Sequence, residues 1–194
     1  MINVDIKGFG KSDELPYAYT VDDYVKDILS LIDALKLDKY HLIAHSFGGR
    51  LALKIANLDK RLEKLVLTGS AGLRPKRKLN YYVKVLKYKI AKRFLSESKL
   101  QKYGSSEYKQ LKGYLKASFV KIVNEHLDDY AKTINNKTLI VFGEKDTETP
   151  IYMAKKLNAN IKNSTLYIMK NQGHFCFLEN PREFNVIVNE FLGE

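Results

Sequence analysis

The sequence predicts an α/β protein whose mostly parallel sheet is flanked by helices, with one helical segment inserted into it. Short apolar runs typical of buried strands alternate with longer stretches in which apolar residues recur at helical spacing. This alternation favours parallel strands covered on both faces. A stretch rich in Lys and Tyr interrupts the alternation at residues 73–134, and we interpret it as a helical cap inserted between two strands.

The length and composition indicate a globular core with one insertion. The 194 residues divide into a first core part at 1–72, the cap at 73–134 and a second core part at 135–194. No apolar run approaches the length of a membrane span. The single cysteine, Cys176, excludes an internal disulfide and predicts a reducing, cytoplasmic location.

The positive charge is concentrated in the cap. The formal net charge is +11, and residues 73–103 carry eleven basic residues against Glu97 alone, a net +10. Any anionic partner would have to contact this segment. A solvated face of a Lys-rich cap explains the pattern better than a membrane or nucleic-acid surface does, so we expect no nucleic-acid partner.

The elements before the cap follow from apolar spacing. Residues 2–5 look strand-like, and residues 20–35 form an amphipathic helix. Residues 42–44 read as a buried strand, followed by a helix at 46–57 and a second strand at 65–67.

The cap and the segment after it contain further elements. Apolar residues at helical spacing predict a basic amphipathic helix at 79–94, and a second helical pattern includes Tyr114, Phe119, Ile122 and Leu127. The later elements are strands at 138–142 and 165–169, a helix that Pro150 opens, and a helix at 184–191 after Pro181.

The turn around Ser46 is the first chemical signal. Ser46 stands where a strand passes straight into a helix, which forces its backbone into a sparsely allowed region. Ala44 and Gly48 keep the turn free of clashes, and Gly49 allows close packing of helix on sheet. The hydroxyl is thereby exposed at a helix N-terminus, as in the G-x-S-x-G nucleophile elbow with Ala in place of the first Gly.

Two further side chains complete a candidate catalytic site. Active groups of open α/β sheets follow the carboxyl ends of strands, where Asp146 and His174 are found. Ser46 needs a base to lose its proton, a histidine such as His174 can take that proton and return it, and a carboxylate on the far ring nitrogen fixes the tautomer. The chain order Ser46, Asp146, His174 is that of a nucleophile, an acid and a base.

Several other side chains are alternative candidates for these roles or for a metal site. Glu144 or Glu148 remains an alternative to Asp146 as the acid. His45 is expected to be structural, His41 and a cap-helix His126 to be packing or surface residues, and Cys176 to be a small core residue. The histidines lack metal-ligand spacing, so we expect no metal and no cofactor.

Taken together, these motifs resemble the α/β-hydrolase fold family, in its esterase-like, cap-bearing form. The resemblance is carried by Asp5-x-x-Gly8-x-Gly10-x-Ser12, the elbow, Gly143-x-x-Asp146 with Pro150, and Gly173-His174-Phe175. It implies that the cap lines the pocket for the acyl or leaving group. It also favours Asp146 as the acid, and the Phe47 N–H is a candidate oxyanion donor.

The chain departs from the family at its front. The family's first strands and the His-Gly-type turn that supplies the second oxyanion donor have no counterpart here, and loss of one such donor lowers the rate about 100- to 1000-fold. We expect Met1 to be an internal methionine of a longer hydrolase. An uncovered sheet edge would then favour self-association.

The leading functional hypothesis is a carboxylesterase that cleaves small or medium acyl esters through an acyl-enzyme on Ser46. Peptidase, thioesterase and carbon–carbon hydrolase activities remain open. The alternative is a catalytically impaired fragment, or a non-catalytic member of the same fold that binds a ligand or partner. The expected partner is a small-molecule ester, with no integral membrane segment.

Overall fold

The computed structural model describes residues 1–76, 108 and 110–193, which contain four strands and seven helices. The predicted basic helix at 79–94 lies outside the described residues. The elements in chain order are α1 (Val21–Ala34), β1 (Tyr40–His45), α2 (Phe47–Leu58), β2 (Leu62–Thr68), α3 (Gly113–Asn124), α4 (Asp128–Thr133), β3 (Lys137–Gly143), α5 (Ile151–Asn160), β4 (Ser164–Met169), α6 (Cys176–Glu179) and α7 (Pro181–Leu192).

The four strands form one parallel sheet in the order β1-β2-β3-β4. The pairing aligns Ala44 of β1 with Leu67 of β2, and Leu67 with Ile140 of β3. Ile140 in turn aligns with Leu166 of β4. Because all strands run the same way, their carboxyl ends lie along one edge of the sheet, and the predicted mostly parallel sheet is confirmed.

Helices cover both faces of this sheet. Leu65 and Leu67 of β2 belong to one buried cluster, while Val66 between them belongs to the other. Successive strand side chains point to opposite faces, so this division assigns one cluster to each face. The first cluster includes residues of α2 and α5, and the second includes residues of α6 and α7. Continuous apolar strands are what a sheet buried on both faces requires.

Two local predictions were wrong. Residues 2–5 form no strand, and Ile2 and Val4 are exposed. An apolar run of this length has no stability as a strand without a neighbour, and in the described part of the chain no strand pairs with it. His126 lies in the connection between α3 and α4 instead of on a helix.

The chain divides into two compact units. The first comprises Met1–Thr20 and Pro75–Asn124, and the second comprises Val21–Arg74 and Glu125–Glu194. In the first unit, the Lys121 ammonium on α3 donates to the Ala18 carbonyl at 2.7 Å. The second unit contains the sheet together with α4, whose Ala131 is buried in the core. A cap domain bounded at 73 and 134 stays a prediction.

Across the described ranges 1–76 and 110–193, none of the helices combines the length and the apolar character needed to cross a bilayer.

In the four-stranded sheet, β1 is an edge strand, and its Ile43 side chain is exposed. Self-association through this edge stays a prediction.

The close approach of α2 to the turn after β2 gives a stability test. A Cβ on Gly49 would overlap the Ser70 side chain and lie 3.1 Å from its Cα, whereas a Cβ on Gly48 would meet only Ala44 Cβ at 3.7 Å. We expect Gly49→Ala to lower the free energy of unfolding by about 1–3 kcal/mol. Gly48→Ala, the matched control, should leave it unchanged or raise it, since Ala favours a helix. Urea denaturation measures both, and equal effects would contradict the packing described.

Candidate active site

The turn between β1 and α2 holds Ser46 in a strained conformation, as the sequence predicts. Ser46 has φ 49° and ψ −112°, outside the regions that an L-residue favours. Its N–H donates to the Thr68 carbonyl at 3.1 Å, and its own carbonyl accepts from Gly49 N and Ala71 N, each at 3.0 Å. These three hydrogen bonds tie the turn to the end of β2 and to α2, so the backbone cannot relax.

Phe47 is the first residue of α2 and follows Ser46 directly. Its ring meets that of Tyr24 on α1 edge to face, with centroids 5.3 Å apart. Tyr24 is almost fully buried. The contact fixes the side chain next to the turn, at the helix terminus where backbone N–H groups point away from the helix. The role of the Phe47 N–H as an oxyanion donor stays a prediction.

Asp146 and His174 are brought together by the loops after β3 and β4. Asp146 Oδ2 lies 2.9 Å from His174 Nδ1, and both side chains are buried. Since an ionised carboxylate only accepts, Nδ1 carries the proton in this hydrogen bond. The contact therefore holds the imidazole in one orientation, with Nε2 as the nitrogen available for chemistry.

The Asp146 carboxylate is satisfied by its own turn. Oδ1 accepts from Glu148 N at 2.9 Å and Thr149 N at 2.8 Å, and Oδ2 accepts from the Thr149 hydroxyl at 2.7 Å. The Thr149 oxygen also lies 3.4 Å from His174 Nδ1. A carboxylate can be buried when hydrogen bonds from the protein replace those it would form with water. Here Glu148 N, Thr149 N and the Thr149 hydroxyl provide three, in addition to the contact with the His174 imidazole.

The two loops are also joined by backbone hydrogen bonds. Lys145 N donates to the Gln172 carbonyl at 2.7 Å, and Glu144 N donates to the Met169 carbonyl at 2.9 Å. The Glu144 carboxylate accepts from Asn171 N at 2.9 Å. Of the two alternative acids, Glu144 thus binds backbone, and Glu148 approaches the other ring nitrogen of His174.

Ser46 and His174 both lie near the end of β2. The Ser46 N–H donates to the carbonyl of Thr68, the last residue of β2. A Cβ on Gly69, the next residue, would lie 3.1 Å from the His174 ring. Both residues therefore lie beside the turn that follows β2. Among the described residues, no hydrogen bond joins Ser46 Oγ to His174; Nε2 lies 3.3 Å from Glu148 Oε2.

His45 packs against the candidate base. Its ring centroid is 4.6 Å from that of His174, and its Nδ1 lies 3.1 Å from the Thr68 carbonyl. A carbonyl only accepts, so Nδ1 is protonated and Nε2 is not; Nε2 is buried and finds no hydrogen-bond partner within the described residues. Burial, followed by the neighbouring His174, lowers the pKa of His45 to about 4.

Three other candidate residues are not part of the Asp146–His174 contact. Cys176 is fully buried, and burial raises the pKa of its thiol, so it has the environment of a core residue. His41 is exposed on β1, and His126 is half-buried. The described residues hold no cluster of three metal-binding side chains.

Sequence reasoning missed Thr149 and the direction of the Glu148 side chain. The available signal was spacing: a hydroxyl residue three positions after a turn carboxylate is well placed to bond it. The rotamer of Glu148 left no such signal. The sequence predicts a structural role for His45 but gives no signal for its ring contact with His174.

Comparisons with known proteins give the class of this fold. A profile of the alpha/beta hydrolase fold matches residues 2–94, and a profile of TAP-like proteins matches residues 118–194. A 2-hydroxy-6-oxo-2,4-heptadienoate hydrolase of Pseudomonas putida is 28% identical over 99% of this chain and 78% of its own.

Two solved structures are similar as well. An esterase from Exiguobacterium antarcticum is 26% identical, with a TM-score of 0.75 over 97% of this chain and 80% of its own. A serine hydrolase involved in carbazole degradation is also 26% identical, with a TM-score of 0.73 over 97% and 77%. The chain belongs to the α/β-hydrolase fold family. It is a hydrolase of that family, as the resemblance implies.

The neutral His45 predicts a pH dependence of stability. The pKa of His45 is about 4 in the folded chain and 6.5 in the unfolded chain. The contribution of the neutral imidazole to the free energy of unfolding is therefore fully present above pH 6.5 and is lost as the pH falls towards 4. The unfolding free energy should therefore fall less between pH 7 and pH 5 in His45→Asn than in the unmodified chain, by about 1–2 kcal/mol. Asn keeps an N–H for the Thr68 carbonyl.

His41→Asn is the matched control, because His41 is exposed on the same strand. It should retain the pH dependence of the unmodified chain. Urea denaturation at the two pH values measures the difference, and a His45→Asn slope equal to that of the control would contradict the buried neutral imidazole.

Proposed function

We propose that the chain is a serine hydrolase in which Ser46 is the nucleophile, His174 the general base and Asp146 the acid that orients it. The observation that carries the proposal is the buried 2.9 Å contact between Asp146 and His174, whose ring lies beside Gly69, the residue after the Thr68 carbonyl that binds the Ser46 N–H. A strained serine at a helix N-terminus and an oriented imidazole at the same sheet edge are the parts that acyl transfer needs.

In the first half-reaction, Ser46 Oγ attacks the substrate carbonyl carbon and His174 Nε2 takes the hydroxyl proton. The proton on Nδ1 stays with the imidazole, and the Asp146 carboxylate stabilises the resulting imidazolium. The imidazolium then protonates the leaving group as the carbonyl–leaving-group bond breaks, which leaves an acyl ester on Ser46.

In the second half-reaction, His174 removes a proton from water as the water oxygen attacks the acyl carbonyl. The imidazolium then returns this proton to Ser46 Oγ as the bond from that oxygen to the acyl carbon breaks, which releases the acid and restores the serine. Both tetrahedral intermediates place negative charge on the former carbonyl oxygen. The Phe47 N–H at the start of α2 is the proposed donor to that oxygen, with the dipole of α2 adding to it. No second donor is assigned.

We propose a carboxylesterase acting on a small or medium acyl ester. The solved esterase at 26% identity supports this reaction class. Under this proposal, residues 73–134 are the inserted cap, and the single cysteine suits a cytoplasmic protein.

A second candidate is hydrolysis at a ketone carbonyl, with carbon–carbon cleavage. It is favoured by the relative named for 2-hydroxy-6-oxo-2,4-heptadienoate, whose 6-oxo group is such a carbonyl. The same serine and imidazole serve both reactions. The two candidate reactions are distinguished by assaying purified protein with p-nitrophenyl esters and with a 2-hydroxy-6-oxo-dienoate in parallel. The substrate that is consumed faster identifies the reaction. Rates at background level with both substrates, in a folded protein, support a non-catalytic member of the fold instead.

Covalent labelling tests the nucleophile. We expect a fluorophosphonate probe to modify the unmodified chain on Ser46, identified by peptide mass spectrometry, because an activated serine attacks phosphorus. Labelling should disappear in Ser46→Ala and persist in Ser30→Ala, a control at an exposed position of α1. Labelling that survives in Ser46→Ala would refute the assignment.

The acid is tested by removing one carboxylate at a time. Asp146→Asn should lower kcat about 1000-fold or more, since an amide at this position favours the wrong imidazole tautomer. Glu144→Gln, the matched control in the same loop, should retain kcat within a few-fold because Glu144 bonds backbone. Equal losses in the two variants would remove Asp146 from its proposed role.

A further inference from the structure

The loop after β4 crosses the edge of the sheet to reach β1. These are the two outer strands of the sheet, so three strand spacings of about 4.8 Å, roughly 14 Å in all, separate them. Yet the ring centroid of His174, which follows β4, lies 4.6 Å from that of His45, the last residue of β1. The course of this loop therefore brings the candidate base to the strand that precedes the candidate nucleophile.

The end of β2 leaves room for this crossing because Gly69 has no side chain. A Cβ on Gly69 would lie 3.0 Å from His45 Cε1 and 3.1 Å from both Cε1 and Nδ1 of His174. Any larger residue would press against both imidazoles. With glycine in this position, the His174 ring passes the end of β2 and comes to rest against the His45 ring.

The His45 ring is itself held in place from two sides. Its Nδ1 donates to the Thr68 carbonyl at 3.1 Å. The ring centroids of Phe175 and Phe177 lie 5.1 Å and 5.0 Å from its own, and Phe177 packs in turn against Phe184 of α7 at 5.9 Å. A hydrogen bond to β2 and aromatic contacts with the segment after β4 make His45 a fixed support.

His174 needs such a support because its hydrogen bond to Asp146 holds one ring atom. Around that atom the imidazole can still tilt. The His45 ring, inclined at 51° to that of His174, lies against it and limits this tilt, while Phe175 meets it nearly edge-on at 78°. Since Ser46 follows His45 directly, the same contact sets the distance of the imidazole from the serine turn.

We propose that His45 is a positioning residue whose ring holds the His174 imidazole at a fixed distance from the Ser46 turn. For its effect on catalysis the inference rests on the proposed function, whereas for the position of the ring it rests on the contacts alone. The effect is large enough to measure, because a displacement of about 1 Å in a catalytic group can lower the rate about 100-fold.

The support is uncharged at neutral pH. Burial, followed by the neighbouring His174, lowers the pKa of His45 to about 4. A neutral ring can lie beside His174 when that imidazole takes the Ser46 proton, whereas a cation there would oppose the new positive charge. An imidazole in this environment therefore supports the base without working against the imidazolium.

Two substitutions separate the ring of His45 from its hydrogen bond. His45→Asn removes the ring and keeps an N–H for the Thr68 carbonyl, whereas His45→Phe keeps a ring and loses the donor. His41→Asn is the matched control at an exposed position of the same strand. Ile161→Val controls for a small loss of stability, because Ile161 is buried just before β4, at the opposite end of the sheet.

Activity is measured with an ester that the unmodified chain hydrolyses. We expect His45→Asn to lower kcat about 10- to 100-fold with little change in KM, because the base is displaced while the substrate contacts remain. His45→Phe should recover part of this loss, and both controls should keep kcat close to that of the unmodified chain. A kcat in His45→Asn equal to that in His41→Asn overturns the proposal, as does a His45→Phe variant no faster than His45→Asn.

Proton NMR tests the position of the ring without requiring activity. The His174 Nδ1 proton lies in the buried hydrogen bond to Asp146 and is assigned by its absence in His174→Gln. It exchanges with water when the ring swings away. We expect exchange about two- to tenfold faster in His45→Asn than in His41→Asn and Ile161→Val, the factor that loss of one ring contact provides.

The two readouts separate this inference from the proposed function. A chain that hydrolyses no ester and is never labelled on Ser46 contradicts the serine hydrolase, yet its Nδ1 proton still reports on the support from His45. Equal exchange rates in His45→Asn and the two controls overturn the support itself. Faster exchange together with an unchanged kcat overturns the positioning role in catalysis.

Discussion

Parallel pairing of β1, β2, β3 and β4 brings the ends of all four strands to one edge, and each group of the candidate site follows one of those ends. Ser46 follows β1, Gly69 follows β2, Asp146 follows β3 and His174 follows β4. The register decides which loops face one another, and the backbone hydrogen bonds between the last two loops set the Asp146–His174 distance. A slip of one residue would invert every strand side chain and separate these groups.

Burial then differentiates groups of similar chemistry. Asp146 is buried and surrounded by donors, so it keeps a charge in the interior and orients an imidazole. His45 is half-buried, its unpaired Nε2 is buried, and its imidazole stays neutral beside His174. Glu148 is also a carboxylate near His174, yet 53% of its side chain is exposed. Solvent access therefore separates the environments of these three groups.

The parts visible in the sequence are those fixed by local pattern. Residues 139–142 are continuously apolar because β3 is buried on both faces, and Ser46 is flanked by the small residues that its strained backbone requires. The sequence does not reveal contacts that depend on side-chain rotamers. The ring contact of His45 with His174 and the approach of Glu148 to His174 Nε2 both depend on how separate segments of the chain meet. Residues 2–5 show the opposite error, since strand-like composition says nothing about whether a neighbouring strand is present.

The most direct test of this account is a crystal structure of the chain after reaction with a phosphonate ester, which mimics the tetrahedral intermediate. The account predicts phosphorus bonded to Ser46 Oγ, one phosphoryl oxygen accepting from the Phe47 N–H, and His174 Nε2 within hydrogen-bond distance of the adduct. Phosphorus on another residue, or an imidazole that remains out of reach of the adduct, would contradict it.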